Sequence, residues 1–407
     1  MRIAWFAHSW LSDWNHGNAH FLRGLARALV RRGHHLALYE PFPAAAGGWS
    51  LDNLLQETGG AASVAQFRDT YPELNVTAIA ASAAAPRWHP GLALTVLPPH
   101  DWQAQLRDIE LLLVHEWVAP ELLEQLVALR QRYGFVLVFH DTHHRALSDP
   151  TALARLPLAA CDAVLVFGAS LERLYRSRFG VRRVYTLHEA ADVSWFAPRP
   201  QHLQCDVIWV GNWGDEERTG ALHRFLIEPA RALQHPGGTS DGKVSGGQVA
   251  RFRVHGVRYP PDALTTLAAA GIAHAGYLPN LETPNALARA RLVLHVPRGP
   301  YAAQGGLPGI PTIRIFEALA CGATLVSAPW QDSEHLFDAG EDYAVARDAG
   351  AMTALLRELL ADPEAALQLG NHGRRTVLAR HTCAHRAREL ESICRHIGLT
   401  CSSSVPA

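Results

Sequence analysis

Arg314 and Glu317 have the types and the spacing of side chains that bind a nucleotide. They lie in a run from about Thr312 to Ala320 whose apolar periodicity predicts a helix, entered through a Gly/Pro-rich loop and followed by an apolar strand. The N-terminus of such a helix offers backbone N–H groups and a positive dipole end to a phosphate. Arg314 would add a charge-assisted hydrogen bond, and Glu317 is an acceptor for ribose hydroxyls. The stretch predicts a nucleotide site; an ordinary helix-to-strand connection with a solvated glutamate is the alternative.

A second loop of the same kind lies earlier in the chain. The predicted strand 205–210 runs into Gly211-Asn-Trp-Gly214, and a helix from about 216 to 233 follows with Arg218 in its first turn. Glycines between a strand and a helix let a ligand approach the backbone closely, and an arginine there adds positive charge for a phosphate. Arg218 and Arg314 together predict a pocket for a diphosphate.

The first predicted strand, 2–7, ends in a loop rich in titratable side chains. Ligands of parallel α/β sheets bind at the carboxyl ends of the strands, so this loop lies where a substrate binds. An imidazole that titrates near neutral pH can remove a proton from an acceptor hydroxyl. Hydrogen bonding within the loop is the alternative role. The histidines of the loop are His8, His16 and His20.

The strand predicted at 135–139 ends in the densest polar run of the chain, His140-Asp-Thr-His-His-Arg145. These residues lie too close together in one extended segment to predict a metal site, and we predict none. A structural turn is one alternative and acceptor-side chemistry is the other. Over the two loops, the candidate catalytic bases are His20, Asp141 and His143.

Strands and helices alternate along the chain, a pattern typical of parallel α/β domains. A length of 407 residues suits two hydrophobic cores rather than one. Predicted strands lie at 2–7, 35–39, 109–114, 135–139, 163–167, 184–187, 205–210, 252–256 and 292–296. Predicted helices lie at 18–32, 120–132, 170–179, 216–233, 312–320, 349–369 and 386–396.

The composition argues against some partners and compartments. A formal net charge of −1 and a pI near 7.1 mean that the chain lacks the net positive charge that attracts a nucleic-acid polymer. Six cysteines are scattered without metal-type or redox-type pairing, and no apolar run reaches membrane-spanning length. The chain begins with a strand-like segment rather than a signal peptide. We expect a cytoplasmic protein; a peripheral membrane contact and the oligomeric state stay open.

Four motifs of the chain together match a known pattern. They are Gly17-Asn-Ala-His-Phe-Leu-Arg-Gly24, His140-Asp-Thr-His-His-Arg145, Val210-Gly-Asn-Trp-Gly-Asp-Glu-Glu-Arg218 and Arg314-Ile-Phe-Glu-Ala-Leu-Ala-Cys-Gly322. They resemble the motifs of the CgeB-like group of GT-B fold glycosyltransferases, the group related to spore-maturation proteins, and the last, with the pattern Glu-Ala-x-Ala-x-Gly, is the most specific. The resemblance implies α/β GT-B architecture, with two Rossmann-like domains whose parallel sheets face a central cleft.

The resemblance also implies a domain division and a reaction. The segment His188–Pro198 is similar to the one that enters the interdomain linker, which places an acceptor-side domain at 1–198 and a donor domain at 199–381, with a last helix at about 382–400 returning to the first domain. The implied enzyme is a hexosyltransferase-like glycosyltransferase that requires no metal or other cofactor. Its donor is a UDP-, GDP- or dTDP-sugar, and its acceptor is a hydroxyl of a glycan, a protein or a small molecule.

Donor-binding residues carry over from the matching motifs. Tyr277, in a Gly-Tyr-Leu turn, corresponds to the position that lies against the nucleotide base. Gly309 stands where retaining enzymes usually carry a glutamate, so the resemblance leaves the choice between inversion and retention open. A nucleotide-sugar epimerase of the same fold and a non-catalytic surface-assembly or binding protein are the alternative functions. The predicted donor-binding residues are Gly211, Asn212, Arg218, Tyr277, Thr312, Arg314 and Glu317.

Overall fold

A computed structural model describes residues 1–42, 51–80, 88–89, 94–214, 216–234 and 249–400. The chain divides into two compact units. Unit 1 comprises residues 1–192, 279–281 and the C-terminal segment from Cys383, and unit 2 comprises residues 193–278 and 282–382. Each unit has its own parallel sheet, which confirms the predicted α/β fold class.

The described part of unit 1 contains a nine-stranded sheet. Its strands are β1 (Arg2–Phe6), β2 (His35–Pro41), β3 (Val76–Ile79), β4 (Trp88–His89), β5 (Leu94–Leu97), β6 (Leu111–His115), β7 (Val136–Asp141), β8 (Ala163–Val166) and β9 (Val184–Thr186). Their order is β4-β5-β3-β2-β1-β6-β7-β8-β9, and every pair is parallel except β4 with β5. The central strands β1 and β6 are almost wholly buried, as expected for a parallel sheet covered on both faces.

Helices connect these strands, and the last helix of the chain packs against the first. Gly24 allows this close approach, because a Cβ atom there would lie only 2.5 Å from Asp192 Cβ and 2.7 Å from Cys383 Sγ. The helices of unit 1 are α1 (Ala19–Arg31), α2 (Leu51–Gln56), α3 (Gly60–Thr70), α4 (Pro99–Ala104), α5 (Pro120–Tyr133), α6 (Arg145–Ser148), α7 (Pro150–Ala154), α8 (Ala169–Arg178) and, at the end of the chain, α16 (Cys383–His396).

Unit 2 contains a six-stranded parallel sheet with the order β12-β11-β10-β13-β14-β15, within its described residues. Its strands are β10 (Cys205–Val210), β11 (Phe252–His255), β12 (Ile272–His274), β13 (Ala290–His295), β14 (Leu325–Ser327) and β15 (Ala344–Val345). Its helices are α9 (Glu216–Leu222), α10 (Glu228–Gln234), α11 (Pro261–Ala269), α12 (Thr283–Ala288), α13 (Ile313–Ala320), α14 (Ala349–Ala361) and α15 (Pro363–Arg380). A π-helical stretch, His223–Ile227, joins α9 to α10.

The single helix predicted at 349–369 is wrong, because α14 and α15 replace it. Asp362 lies between them, and its side chain accepts hydrogen bonds from the backbone N–H groups of Glu364 and Ala365 at 3.1 and 3.0 Å. Pro363 lacks an N–H group and disfavours helical backbone at the residue before it. The Asp-Pro pair therefore ends one helix and caps the next, which the continuous apolar periodicity conceals.

Candidate functional site

Two arginines lie at the carboxyl ends of the adjacent strands β10 and β13 of unit 2. Arg314, in the first turn of α13, donates a hydrogen bond from Nε to the carbonyl oxygen of Val210 at 3.2 Å. Arg218, in the first turn of α9, donates to the carbonyl oxygens of Val296 at 2.6 Å and Asn212 at 3.2 Å. Both side chains are half-buried. The fold thus brings two guanidinium groups that are distant in sequence to one edge of the sheet.

The loop between β10 and α9 fits closely around this edge. A Cβ atom on Gly211 would lie 2.8 Å from the Trp209 ring, so the backbone approaches the ring more closely than another residue would permit. The side-chain oxygen of Asn212 accepts a hydrogen bond from the backbone N–H of Val257 at 2.8 Å. The predicted site residues Gly211 and Asn212 therefore shape the loop beside Arg218.

A third guanidinium adjoins the same loop. Gly214 has φ of +84°, a left-handed conformation that favours glycine. A Cβ atom there would lie 3.3 Å from the Arg218 side chain and 3.6 Å from a terminal nitrogen of Arg298. Arg298 was not predicted as a site residue. The positive charge at this edge of unit 2 is therefore larger than the sequence motifs indicate.

The N-terminus of α13 has no side-chain cap, although Thr312 occupies the N-cap position. His295 explains why, because its Nε2 lies 2.8 Å from Thr312 Oγ1 and its Nδ1 lies 2.8 Å from Ser327 Oγ. The Ser327 hydroxyl donates to the carbonyl oxygen of Ala328 at 2.7 Å, so it accepts from Nδ1–H. Nε2 is then the acceptor for the Thr312 hydroxyl proton, which draws that hydroxyl away from the helix.

His295 is neutral in this arrangement. Burial, followed by the charges of Arg218 and Arg314, lowers the pKa of His295 to about 3. The first turn of α13 consequently presents backbone N–H groups without a capping side chain, at the positive end of the helix dipole. An uncapped helix N-terminus beside arginines has the chemistry of an anion site.

The carboxylate of Glu317 is fully buried and forms an ion pair with Arg314 one turn earlier on α13. A buried carboxylate without a cationic partner destabilises the folded state, so loss of either side chain would leave the other in an unfavourable environment. The role of Glu317 as a ribose acceptor stays a prediction. In this structure the carboxylate contacts Arg314.

Two other positions of interest in unit 2 are Tyr277 and Gly309. Tyr277 lies after a strand at the edge of the sheet, and Gly309 stands where retaining enzymes usually carry a glutamate. Tyr277 follows the edge strand β12, which β11 separates from β10, and it is half-buried. Gly309 has φ of +85°, and a Cβ atom there would lie 2.7 Å from Ser333 Oγ and 2.8 Å from Glu334 Oε1. The backbone at this position therefore favours glycine, and the Glu334 carboxylate fills the space that a side chain would take.

Three strand ends of unit 1 bring four histidines together. The strands β1, β6 and β7 are neighbours, and the register places His115 beside His140, with ring centroids 5.0 Å apart. The ring of His8, from the loop after β1, is stacked with that of His115 at 5.9 Å. The His16 ring lies 4.5 Å from His8 and 5.8 Å from His115. The sheet order thus assembles a cluster from loops that the sequence shows only separately.

The four histidines, which we call the histidine cluster, are buried. Burial lowers the pKa of His140 to about 3, and burial with the charge of Arg23 lowers that of His16 to about 3. Burial is also the largest of several causes that lower the pKa of His8 and His115 well below the usual value. All four rings are therefore neutral at pH 7, and each has one nitrogen lone pair.

Buried carboxyl groups adjoin the histidine cluster. Glu116 Oε1 accepts a hydrogen bond from the Thr142 hydroxyl at 3.0 Å and lies 3.4 Å from His115 Nε2. Burial, reinforced by Asp141, raises the pKa of Glu116 well above its usual range. Arg145 donates to the backbone carbonyl of Glu116 at 2.6 Å. Proton-binding groups with strongly perturbed pKa values are concentrated here, as they are in functional sites.

The three predicted bases differ in their access to solvent. His20, in the first turn of α1, and Asp141 are both 0% exposed. Asp141 accepts hydrogen bonds from the Tyr175 hydroxyl and from the backbone N–H of His143, the latter at 3.0 Å. His143 is half-buried, and its ring is stacked on His144 with centroids 4.1 Å apart. Of the three, His143 is the one with exposed surface.

Buried charges hold the loop that carries His8 and His16. Glu40, in β2, accepts hydrogen bonds from the backbone N–H groups of Trp10 and Leu11 at 2.7 and 2.6 Å. Arg23 donates to the carbonyl oxygen of Trp10 at 2.9 Å. Burial raises the pKa of Glu40 to about 7, against the opposing effects of the two backbone hydrogen bonds and Arg23. The loop backbone is thus fixed before any ligand binds.

Sequence reasoning missed His295, Arg298 and the central position of His115. A polar residue that ends an apolar strand is the available signal, and His295 ends Leu292-Val-Leu-His295 in this way. The signal identifies the edge of the sheet but not the partner. The contact of His295 with Thr312 depends on how α13 packs against β13 and β14.

The architecture of two parallel-sheet α/β units is that of GT-B glycosyltransferases. The chain is similar to sucrose-phosphate synthase from Thermosynechococcus elongatus, with 16% identity, a TM-score of 0.61 and coverage of 97% of this chain and 98% of that one. It is also similar to HepE of Anabaena in complex with UDP and glucose, with 10% identity, a TM-score of 0.62 and coverage of 97% and 100%. An alpha-glucosyltransferase in complex with UDP and a 13-mer DNA gives 11% identity, a TM-score of 0.63 and coverage of 97% and 99%. Because the sequence identities are low, these structural similarities establish a shared fold and nothing more.

In the sequence comparison, a family model matches part of the chain. Residues 218–392 match the family described as Glycosyl transferase-like, a segment that includes Arg218, Arg314 and Glu317. The match does not identify the CgeB-like group, which stays a prediction. A search of proteins with curated functions gives no significant match. Among the residues that the structure describes, no helix has both the length and the apolar composition needed to cross a membrane.

Proposed function

We propose that this protein is a glycosyltransferase that moves a sugar from a nucleoside-diphosphate sugar to an acceptor hydroxyl. The observation that carries the proposal is the convergence of Arg218 and Arg314 beside the uncapped N-terminus of α13. Guanidinium groups and helix N-terminal N–H groups are the donors that proteins use for phosphate oxygens. The GT-B fold and the family match over residues 218–392 support the same function.

In this proposal the cationic pocket stabilises the departing diphosphate while the sugar carbon acquires oxocarbenium character. Arg218, Arg314 and the α13 dipole neutralise the leaving group without a metal ion. UDP-sugars are the first donors to test because HepE and the alpha-glucosyltransferase were solved with UDP, and GDP- and dTDP-sugars are the next. Tyr277 is assigned to the nucleotide base.

We propose a change of partner for Arg314 when the donor binds. The guanidinium contacts Glu317 in this structure, and a phosphate would compete for it. A guanidinium shared with phosphate leaves more of the Glu317 carboxylate available to accept from the ribose hydroxyls. The buried ion pair would then serve as a resting arrangement that donor binding replaces.

For the acceptor half of the reaction, we propose that His143 of unit 1 removes the hydroxyl proton if the reaction inverts. It is the one predicted base with exposed surface, and Asp141 fixes its backbone. The fully buried His20 and Asp141 would act by positioning instead. We assign the acceptor side to residues 1–198 with the helix at about 382–400, and the donor side to 199–381. The acceptor is a hydroxyl of a glycan, a protein or a small molecule.

A thermal-shift comparison of nucleoside diphosphates with their parent nucleosides tests the donor site. Ligands that bind the native state raise its melting temperature. UDP, GDP or dTDP should raise the melting temperature by several degrees at concentrations about 100-fold above Kd, whereas the nucleosides, which lack phosphates, should give a much smaller shift. Equal shifts with diphosphate and nucleoside would remove the phosphate site from the proposal.

Nucleotide release tests the reaction itself. The purified protein is incubated with the donor that gives the largest shift, with and without a panel of acceptors. Release of free nucleoside diphosphate only when an acceptor is present indicates transfer. Conversion of the donor sugar without release would instead indicate an epimerase, and binding without either change would indicate a binding protein.

A further inference from the structure

Three members of the histidine cluster have the geometry of a metal site. One ring nitrogen from each of His8, His16 and His115 lies within 4.8 Å of those of the other two, and all three residues are buried. A tetrahedral ion with Zn–N distances of 2.0–2.1 Å needs ligand atoms about 3.3 Å apart. Small rotations of the three imidazole rings would close that difference.

The hydrogen bonds of His16 and His115 leave nitrogen atoms for an ion. His16 Nδ1 lies 2.5 Å from Ser9 Oγ, and its buried Nε2 has no hydrogen-bond partner among the described residues. Neither ring nitrogen of His115 makes a hydrogen bond within the described chain, although this residue is only 1% exposed. Buried polar atoms without partners are rare in folded proteins and call for an explanation. A bound cation provides one.

The surroundings favour a cation with nitrogen ligands. Neutral imidazole is a ligand for zinc, copper, iron and nickel, and the burial that keeps these rings neutral keeps their lone pairs available. The carboxyl group of Glu116 lies 3.4 Å from His115 Nε2, so an oxygen-bearing side chain adjoins the three rings. Ser9 and the backbone contacts of Glu40 orient the loop, as outer contacts do in metal sites.

We propose that His8, His16 and His115 bind one divalent transition-metal ion, with Zn²⁺ as the expected occupant. Three protein ligands leave the fourth position open to water or a hydroxyl, as in catalytic zinc sites. The proposal differs from the prediction of no metal site, which rests on the run from His140 to Arg145 and on the scattered cysteines. The residues of that run are adjacent in sequence, whereas the proposed ligands come from the ends of two strands. The site requires only residues of unit 1 and does not depend on the proposed function.

Metal content of the untagged, full-length protein tests the proposal. After saturation with Zn²⁺ and dialysis against metal-free buffer, the wild-type protein should retain about one equivalent by mass-spectrometric metal analysis. His16→Ala and His115→Ala should retain less than a tenth of that. His35→Ala is the matched control, because His35 is an exposed histidine of the same unit, and it should retain the wild-type amount.

Cobalt substitution provides a second readout that needs no variant. Co²⁺ in a site of low coordination number with nitrogen ligands should give visible absorption bands of much higher intensity than those of the hydrated ion. We expect these bands to appear in the wild-type protein and to disappear when Zn²⁺ displaces Co²⁺. This result does not require that any variant folds. Less than about a tenth of an equivalent of zinc in the wild type, or equal retention by the wild type and both variants, would overturn the proposal.

Discussion

Unit 1 and unit 2 both place polar side chains at the carboxyl ends of adjacent parallel strands, but with different charge. In unit 2, the guanidinium groups of Arg218 and Arg314 are permanently charged and lie beside a helix N-terminus. In unit 1, buried imidazoles such as His8 and His115 are neutral, and burial raises the pKa of the nearby Glu116 carboxyl. The same position in the same kind of sheet therefore carries two kinds of chemistry.

The comparison shows what the fold determines and what the residues determine. A parallel sheet fixes the place of a site, because all loops that leave carboxyl ends lie at one edge. Permanent cations at that edge favour an anion such as a diphosphate, whereas imidazoles that burial keeps neutral favour a metal ion over a proton.

If the reaction inverts, replacement of His143 by alanine should reduce turnover about 10²- to 10⁴-fold, because it removes the proposed general base. Donor affinity should stay within twofold of wild type, since the proposed donor-binding residues lie in unit 2. Acceptor-dependent release of nucleotide measures turnover, and calorimetry measures affinity. His35→Ala is the control. Wild-type turnover in His143→Ala would remove this residue from the mechanism. It would also weaken the proposal that unit 1 carries the acceptor chemistry and unit 2 binds the donor.

Replacement of Arg314 by alanine should weaken nucleoside-diphosphate binding about 10- to 100-fold, since a hydrogen bond to a charged group contributes about 1.5–3 kcal/mol. The change also leaves Glu317 buried without its cation, so Arg314→Ala combined with Glu317→Gln should recover folding stability but not affinity. Arg347→Ala is the matched control, because that side chain is 90% exposed in the same unit. Equal affinities of Arg314→Ala and Arg347→Ala would contradict the proposed phosphate site.

The pH dependence of stability tests the neutrality of buried groups in unit 1. Folding raises the pKa of Glu40 from about 4.5 to about 7, so the native state binds this proton more tightly than the unfolded state. Its contribution is therefore complete below about pH 4.5 and is lost as pH rises through about 7, by about 3 kcal/mol. Glu40→Gln should remove this decline. Parallel curves of unfolding free energy against pH for both proteins would show that Glu40 titrates normally.

Replacement of His295 by asparagine should weaken diphosphate binding about fivefold, equivalent to about 1 kcal/mol. Asparagine keeps a donor for Ser327 but loses the acceptor for Thr312, whose hydroxyl can then cap α13 and compete with phosphate. The double variant with Thr312→Val lacks that hydroxyl and should regain most of the affinity. Additive losses in the double variant would show that capping is not the cause.

The placement of Arg314 and Glu317 in unit 2 was more accessible to sequence analysis than the histidine cluster of unit 1, for a physical reason. The two residues lie one turn apart on one helix, so periodicity alone puts them on the same face, although the sequence did not predict their ion pair. The histidine cluster depends on which strands are neighbours, and His115 meets His8 because β6 lies beside β1. Strand order is a tertiary property that a pattern of residues does not specify.

The helix boundaries show the same contrast between local signals and tertiary contacts. The start of α13 near Thr312 was predicted from its loop and periodicity, which are local signals. The break at Asp362 was missed because apolar periodicity outweighed the Asp-Pro pair. His295 was missed because its two hydrogen bonds join a strand, a neighbouring strand end and a helix N-terminus. Contacts within one element are readable from sequence, and contacts among three elements require the fold.

We propose that the edge of unit 2 at β10 and β13 holds a diphosphate. A crystal structure of the protein grown with the nucleoside diphosphate that binds most tightly tests it directly. We expect phosphate oxygens within about 3 Å of the first-turn N–H groups of α13 and of the guanidinium groups of Arg218 and Arg314. A diphosphate bound elsewhere, with Arg314 still paired to Glu317 and no ligand at the helix N-terminus, would contradict the claim.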